Sequence, residues 1–304
     1  MAEPLTETAV ADAAIAEALP RRRMGPRARR DLWALSPYLL ILALFVLCSL
    51  VPQWVAPTSP LTNNLLVRLS GLGTRSGGIT YWLGTDDLGR DVLSRIIYGA
   101  QVSLMVALIS DVASAAIGGI LGLVAGYFGR TTGNLIMRLA DVMLSIPFLL
   151  LAILLVSILG PSNRSLIVAL SITQWPVFAR MANAVASRTR QLDFVKAAQA
   201  AGATHGRILA RHIAPYVISS LLVIAMIQFG TFILYEAGMS FLGLGAPPPA
   251  PSWGSMLSEG QLYITTAWWM ITFPGIALFL VVMSVNRVGD FLQVRLNPER
   301  RRGR

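Results

Sequence analysis

The side chains that most often carry chemistry are scarce in this sequence. It has two histidines, His205 and His212, one cysteine, Cys48, and one lysine, Lys196. Two histidines are too few for a metal site, and a lone cysteine can form neither an intrachain disulfide nor a cysteine cluster. Lys196 lies between Val and Ala rather than in the Gly-Lys-Ser/Thr end of a phosphate-binding loop, which excludes ATP hydrolysis by that route. We therefore expect a non-catalytic chain that holds no metal or cofactor of its own.

A second kind of chemistry, ion coupling, needs ionisable side chains inside a membrane span. Asp111 is the one charged residue well inside an apolar run; it can serve an ion-coupled carrier or pair with a neighbouring helix. Gln174, Trp175 and Gln228 also lie in apolar runs, where polar side chains line a path or bond between helices. These four residues are the candidate pore-lining positions, with interhelical bonding as the alternative.

The composition assigns the chain to the integral membrane proteins. Of its 304 residues, 55% are hydrophobic and 13% are charged, and the mean hydropathy is +0.63, whereas a soluble domain carries roughly 25% charged residues. The apolar windows predict an all-α protein with six transmembrane helices. The predicted spans are Leu35–Val51, Val102–Phe128, Leu139–Leu159, Ser165–Ala179, Ile213–Tyr235 and Ala267–Val285. The fourth is short and crosses a bilayer only with help from its flanks.

The positive charges orient these spans. With the N terminus inside, twenty of the 25 Arg and Lys residues fall in inside segments, which favours an N-in, C-in topology. The net charge of +10 follows from the same distribution. We therefore expect the basic residues to face the lipid bilayer and not to bind nucleic acid. The predicted segments are a cytoplasmic tail at 1–34, expected to be disordered, a first helix at 35–52, an external segment at 53–100, a five-helix core at 101–290 with a cytoplasmic loop at 183–213, and a cytoplasmic tail at 291–304.

The loop between the fourth and fifth spans is polar and rich in Ala and Gly. From Asp193 to Pro215 it reads DFVKAAQAAGATHGRILARHIAP. The alanines predict a short helix of little bulk, Gly202 ends it in a turn that uses φ > 0, and Thr204 caps a second helix. Such a helix can seat in a groove of a partner and transmit its motion as a rigid body. The alternative is an ordinary connection between two spans.

Three glycines at four-residue spacing, Gly118, Gly122 and Gly126, form a stripe along the second predicted span. Small residues on one face of a helix let another helix approach closely. The stripe is a candidate site for packing against a second membrane subunit, and packing inside this chain is the alternative.

The cytoplasmic loop resembles the coupling loop by which permeases of ABC importers dock on their ATPase subunits. KAAQAAGATHGRILARHIAP matches that pattern at Ala197, Ala198, Gly202 and Pro215. It departs from the pattern at Lys196, where the family has Glu, and at His212 and Ala214, where the family has Ile and Leu. The resemblance implies ATPase-coupling roles for Asp193, Phe194, Lys196, Ala197, Ala198, Gly202, Ala203, His205, Arg207 and Pro215.

Three further stretches, Leu83–Leu104, Ser240–Gly260 and Phe273–Arg301, resemble the C-type permeases of the dipeptide/oligopeptide/nickel importer family. The resemblance implies the ABC type I importer permease fold and a place in the prokaryotic plasma (inner) membrane. It also implies a homologous second permease, two ATPase subunits that bind ATP and Mg, and an extracytoplasmic substrate-binding protein. The implied substrate is a di- or oligopeptide. The alternatives are nickel or another small solute on the same architecture, and an ion-coupled secondary carrier that uses Asp111.

Overall fold

Helices form nearly all the regular structure of the computed structural model, which describes the backbone of residues 26–296 and the side chains of residues 35–294. The helices are α1 (Pro26–Leu50), α2 (Pro52–Val55), α3 (Val92–Phe128), α4 (Arg130–Ser145), α5 (Phe148–Leu159), α6 (Asn163–Arg190), α7 (Asp193–Ala200), α8 (His205–Ile208), α9 (Ala214–Phe241), α10 (Trp253–Gln261) and α11 (Trp269–Leu296). A 3-10 turn (Leu65–Val67), a π-helical turn (Leu209–Ile213) and the strands β1 (Thr74–Ser76) and β2 (Ile79–Tyr81) complete the fold. Residues from Tyr38 onward form one unit, distinct from residues 1–37.

Each of the six predicted spans coincides with a helix or with a bent pair of helices. Among the described residues, four helical stretches are long and apolar enough to cross a membrane: α3, α6, His205–Phe241, which ends with α9, and α11 as far as Val294. The pair α4 and α5 passes the same test when taken together, and α1 contributes the shorter apolar stretch Leu35–Leu50. The predicted all-α membrane architecture is therefore confirmed.

Several helices extend beyond the spans predicted from hydropathy. α1 begins at Pro26, inside the predicted N-terminal tail, and α11 continues to Leu296, inside the predicted C-terminal tail. α3 begins at Val92 because Asp91 caps it: its side chain accepts a hydrogen bond from the Ser94 backbone N–H at 2.9 Å. The rest of the two predicted tails, residues 1–25 and 297–304, lies outside the described residues.

The third predicted span is not one continuous helix in the structure. α4 and α5 meet at an angle of 91°. At the corner Ile146 is extended (φ −88°, ψ 130°) and Pro147 follows it (φ −54°, ψ 123°). Proline has no backbone N–H and disfavours a helical conformation in the residue before it, so the helix stops and restarts here.

α3 and α6 pack along each other more extensively than any other pair of described helices. A Cβ added to any glycine of the stripe Gly118, Gly122 and Gly126 would overlap a backbone oxygen of α6. These oxygens belong to Trp175, Ala179 and Asn183. The contacts advance along both helices together, so the two run parallel. The stripe is covered by α6 of the same chain, which corrects the expectation of a subunit-packing site, because a face already occupied at this distance cannot receive a second subunit.

The predicted external segment before α3 contains little regular structure but is packed against the helices. β1 and β2 form an antiparallel hairpin that pairs Thr74 with Tyr81 and Ser76 with Ile79. Trp269, at the start of α11, donates its indole N–H to the backbone oxygen of Thr85 at 3.1 Å. The segment is therefore packed on the N-terminal ends of α3 and α11.

Candidate functional site

The loop between α6 and α9 contains the short helix and the glycine turn that the sequence predicts. α7 ends in a Schellman motif, in which the Ala203 N–H donates to the Ala198 oxygen at 3.1 Å and the Gly202 N–H donates to the Gln199 oxygen at 3.0 Å. Gly202 has a φ of 78°, a value that side-chain-bearing residues rarely adopt. The turn therefore depends on glycine at this position. We refer to residues 191–213 as the coupling loop.

The second half of the coupling loop leads directly into the membrane. Thr204 occupies the N-cap position of α8 with extended dihedrals, although its side chain makes no capping hydrogen bond. α8, the π-helical turn and α9 then follow without a break. Pro215 lies in the first turn of α9, in line with the prediction that it marks the start of the fifth span. Any displacement of α8 must therefore act on α9.

One face of α7 anchors the coupling loop to the membrane helices. Val195 is fully buried in a cluster formed by the ends of α3, α6 and α9. The other buried members are Tyr127, Ala182, Ala186, Ile208, Ile213 and Val217. Burial of an aliphatic side chain is worth about 1.5–3 kcal/mol, so α7 is held against the bundle.

The remaining faces of α7 and α8 are open. The residues that the resemblance assigns to coupling and that are exposed here are Asp193, Phe194, Lys196, Ala197, Gly202, His205, Arg207 and Pro215, whereas Ala198 and Ala203 are half-buried. Lys196 is 61% exposed at its side chain, with its Nζ 3.4 Å from the Asp193 carboxylate. Phe194 stacks on Tyr216 with ring centroids 5.9 Å apart. This surface offers both charge and an aromatic edge to a docking partner.

His205 connects the coupling loop to α3, a contact that the sequence did not indicate. Its Nδ1 lies 2.6 Å from the hydroxyl of Tyr127, 78 positions away in the chain. Tyr127 is buried, and the Arg190 guanidinium lies 5.8 Å from the centroid of its ring, within the range of a cation–π contact. His205, to which the resemblance assigns a coupling role, is thus also bonded within its own chain.

The four candidate pore-lining residues do not form one surface. Asp111, Gln174 and Trp175 are buried, with exposures of 3%, 6% and 6%, and Trp175 packs with Ala140 of α4. In this structure these three side chains lie between helices of the chain itself, which favours the interhelical alternative for them. Gln228, half-buried on α9, is the one of the four that reaches a surface. One carboxylate oxygen of Asp111 has no hydrogen-bond partner among the described residues.

A buried cluster of charges lies at the N-terminal end of α3, the end that is predicted to face outward. Arg95, 2% exposed, is bonded to both carboxylate oxygens of Glu259 on α10, at 2.6 and 3.1 Å, and lies 2.5 Å from Asp86. Arg90 also pairs with Asp86, at 2.5 Å. Oxygens of Asp86, Asp87 and Glu259 lie close enough together to hold a cation, but each of the three carboxylates already pairs with the Arg90 or the Arg95 guanidinium. The cluster joins the external segment, α3 and α10.

The chain matches the protein family described as "Binding-protein-dependent transport system inner membrane component" over residues 118–302. It is 40% identical over 261 residues to the dipeptide transport system permease protein DppC of Alkalihalophilus pseudofirmus, covering 86% of this chain and 84% of that protein. It is 41% identical over 264 residues to the di/tripeptide transport system permease protein DppC of Pseudomonas aeruginosa, covering 86% of each. It is also 37% identical over 266 residues to the nickel transport system permease protein NikC of Escherichia coli, covering 88% and 94%.

Solved structures share the fold. A methionine ABC transporter, MetNI, in an inward-facing conformation aligns with a TM-score of 0.54 at 20% identity, covering 67% of this chain and 96% of that chain. An amino acid ABC transporter aligns with a TM-score of 0.51 at 16% identity, covering 66% and 94%. These likenesses confirm the predicted importer permease fold, and the identity to the curated permeases extends over most of the sequence. The chain belongs to the family of binding-protein-dependent transport system inner membrane components, the permease subunits of ABC importers.

Proposed function

We propose that this chain forms half of the translocation path of an ATP-driven importer of di- and oligopeptides, and that its coupling loop connects the path to separate ATPase subunits. The observation that carries the proposal is the placement of α7, which is anchored by the buried Val195 and exposed along Asp193, Phe194 and Lys196. A helix that is packed on one face and exposed on the other can be displaced by a docked partner and can transmit that displacement to the membrane helices.

The remaining parts of the transporter follow from the same proposal. A homologous second permease supplies the other half of the path, and two ATPase subunits bind ATP and Mg beneath it. An extracytoplasmic binding protein delivers the substrate, and the assembly lies in the inner membrane of a prokaryote. The family description, which names binding-protein-dependent transport and the inner membrane, supports these assignments.

Nickel is the second candidate substrate. The identity to the nickel permease, 37%, is close to the 40% and 41% found for the peptide permeases. Overall identity therefore does little to distinguish a peptide substrate from nickel. We favour peptides because two of these three relatives carry peptide names. Specificity would reside largely in the binding protein, and the permease need only tolerate the solute.

The test is ATP hydrolysis by the complex in proteoliposomes. This chain is co-expressed with the permease, ATPase and binding-protein genes beside it, and the complex is assayed with the binding protein loaded from a di- and tripeptide mixture, loaded with Ni²⁺, or left empty. We expect stimulation by the peptide-loaded protein. Stimulation by Ni²⁺ alone would favour the second candidate, and failure of any ATPase subunit to associate would refute the coupling role.

A matched pair of variants tests the coupling loop itself. Gly202→Val places a β-branched residue at a φ of 78°, whereas Gly206 lies in α8 outside the positive-φ region, and a Cβ would meet open space at both positions. We expect Gly202→Val to assemble but to lose binding-protein stimulation, and Gly206→Val to retain it. Equal behaviour of the two variants would show that the glycine turn is not required.

A further inference from the structure

α3 is a single helix of 37 residues, about 55 Å long at 1.5 Å per residue. It is attached at both ends. Arg95, near its outer end, is bonded to Glu259 and Asp86, and Tyr127, near its inner end, is bonded to His205 of the coupling loop. One continuous helix thus reaches from the coupling loop to the external charge cluster.

The inner attachment is directional. The Tyr127 hydroxyl and His205 Nδ1 are 2.6 Å apart, and a hydrogen bond of this length weakens steeply when its angle or distance changes. Tyr127 is only 3% exposed and packs in the cluster that contains Ala186 and Val217, so its ring has little room to follow a moving partner. By contrast, the apolar contact of Val195 is non-directional and tolerates sliding.

The helix attached at Tyr127 does not move alone. The glycine stripe of α3 is pressed against backbone atoms of α6 along three successive turns, so a force applied at the inner end of α3 acts on the pair. α6 also leads directly into the coupling loop through Arg190 and Gln191. The loop is therefore connected to both helices, to α6 through the backbone and to α3 through the His205–Tyr127 hydrogen bond.

We propose that the Tyr127–His205 hydrogen bond is the link through which motion of the coupling loop is passed to α3, and along it to the external charge cluster. Tyr127 and His205 are positioning residues for transport. They contact no substrate and serve to keep loop and helix moving together. This inference rests on the proposed function, since it requires a loop that an ATPase moves.

The test compares three variants of the reconstituted complex, with the binding protein loaded from a di- and tripeptide mixture. Tyr127→Phe removes only the hydroxyl and leaves the ring in its cluster. His205→Ala removes the other partner, while His205→Asn keeps a polar atom at the same distance from Cβ as Nδ1. Tyr98→Phe is the control, because it removes a hydroxyl from the outer part of α3 that has no hydrogen bond among the described residues. The readout is labelled peptide imported per ATP hydrolysed.

We expect Tyr127→Phe and His205→Ala to assemble and hydrolyse ATP but to import about two- to tenfold less peptide per ATP, the range set by the loss of one hydrogen bond. His205→Asn should recover much of the ratio, and the double variant should be no worse than either single variant. An unchanged ratio in both single variants overturns the inference, and so does loss of the ATPase subunits on purification, which would make the bond a docking contact. If the unmodified complex shows no stimulated hydrolysis, the proposed function itself fails.

Discussion

Replacement of Gly122 by alanine tests whether the close approach of α3 and α6 holds the bundle together. A Cβ at this position would overlap the backbone oxygen of Ala179 and lie 2.6 Å from the Cβ of Ala182. Neither atom can rotate away, so the added methyl group must push the two helices apart. Gly119, on the same turn of α3, provides the control: its Cβ would meet Leu221 Cδ1 at 2.6 Å, the end of a flexible side chain that can change rotamer.

The expected sizes differ between the two sites. Alanine improves helix propensity by up to about 1 kcal/mol at either position. Overpacking costs about 1–3 kcal/mol, and the upper part of this range applies at Gly122 because the contact is with backbone. Inside a membrane, packing of small residues is also a main source of helix association. Gly122→Ala should therefore lose about 2 kcal/mol, and Gly119→Ala should be neutral or slightly stabilising.

Thermal unfolding of the purified complex in detergent, followed by circular dichroism, measures the difference. A loss of this size corresponds to a decrease in Tm of about 4–8 °C for a chain of this class. Gly119→Ala should remain within about 2 °C of the unmodified protein. If both variants unfold at the same temperature, the α3–α6 interface is more compliant than the structure indicates, and the reasoning is refuted.

Three further substitutions, one of them a control, test the charged groups. Glu259→Gln leaves the buried Arg95 with Asp86 as its main partner and should lower the stability by about 3 kcal/mol, near the lower limit for breaking a buried pair. Asp87→Asn should be nearly neutral in the same thermal assay, because the one ion pair of Asp87 among the described residues is a 3.5 Å contact with Arg90. Equal losses of stability in the two variants would contradict the assignment of Glu259 as the main partner of Arg95. Lys196→Glu should change ATPase association little, because its exposed contact with Asp193 is worth about 0–1 kcal/mol. Complete loss of the ATPase subunits on co-purification would show that Lys196 is essential for docking.

Local signals in the sequence identified the spans and the coupling loop. Hydropathy located each candidate membrane span among the described residues, and the run of alanines ending in Gly202 predicted α7 and its turn because each depends on neighbouring residues. The corner at Pro147 was missed because a hydropathy window averages over a proline whose effect on the backbone is local. The start of α1 at Pro26 was missed because the charged residues that follow it lie outside the apolar stretch.

The contacts between distant parts of the chain were beyond sequence reasoning. A glycine stripe marks a face suited to close packing but does not say which helix covers it, and α6 was one of several choices. Polar residues such as Gln174 look the same in a sequence whether they face a path or a neighbouring helix. The bonds of His205 to Tyr127 and of Arg95 to Glu259 join positions 78 and 164 residues apart, and no periodicity connects them.

The charge cluster at the outer end of α3 also has a consequence for biosynthesis. Arg95 precedes its partner Glu259 by 164 residues, a stretch that takes roughly 10–30 seconds to translate. During that interval the second span is already made, but Arg95 has Asp86 and not yet Glu259 as an ion-pair partner. The external segment therefore reaches its final position late, after α9 has been inserted and α10 has folded back over it. A chain truncated before α10 would lack Glu259, so Arg95 would lose the partner that bonds to it through both carboxylate oxygens.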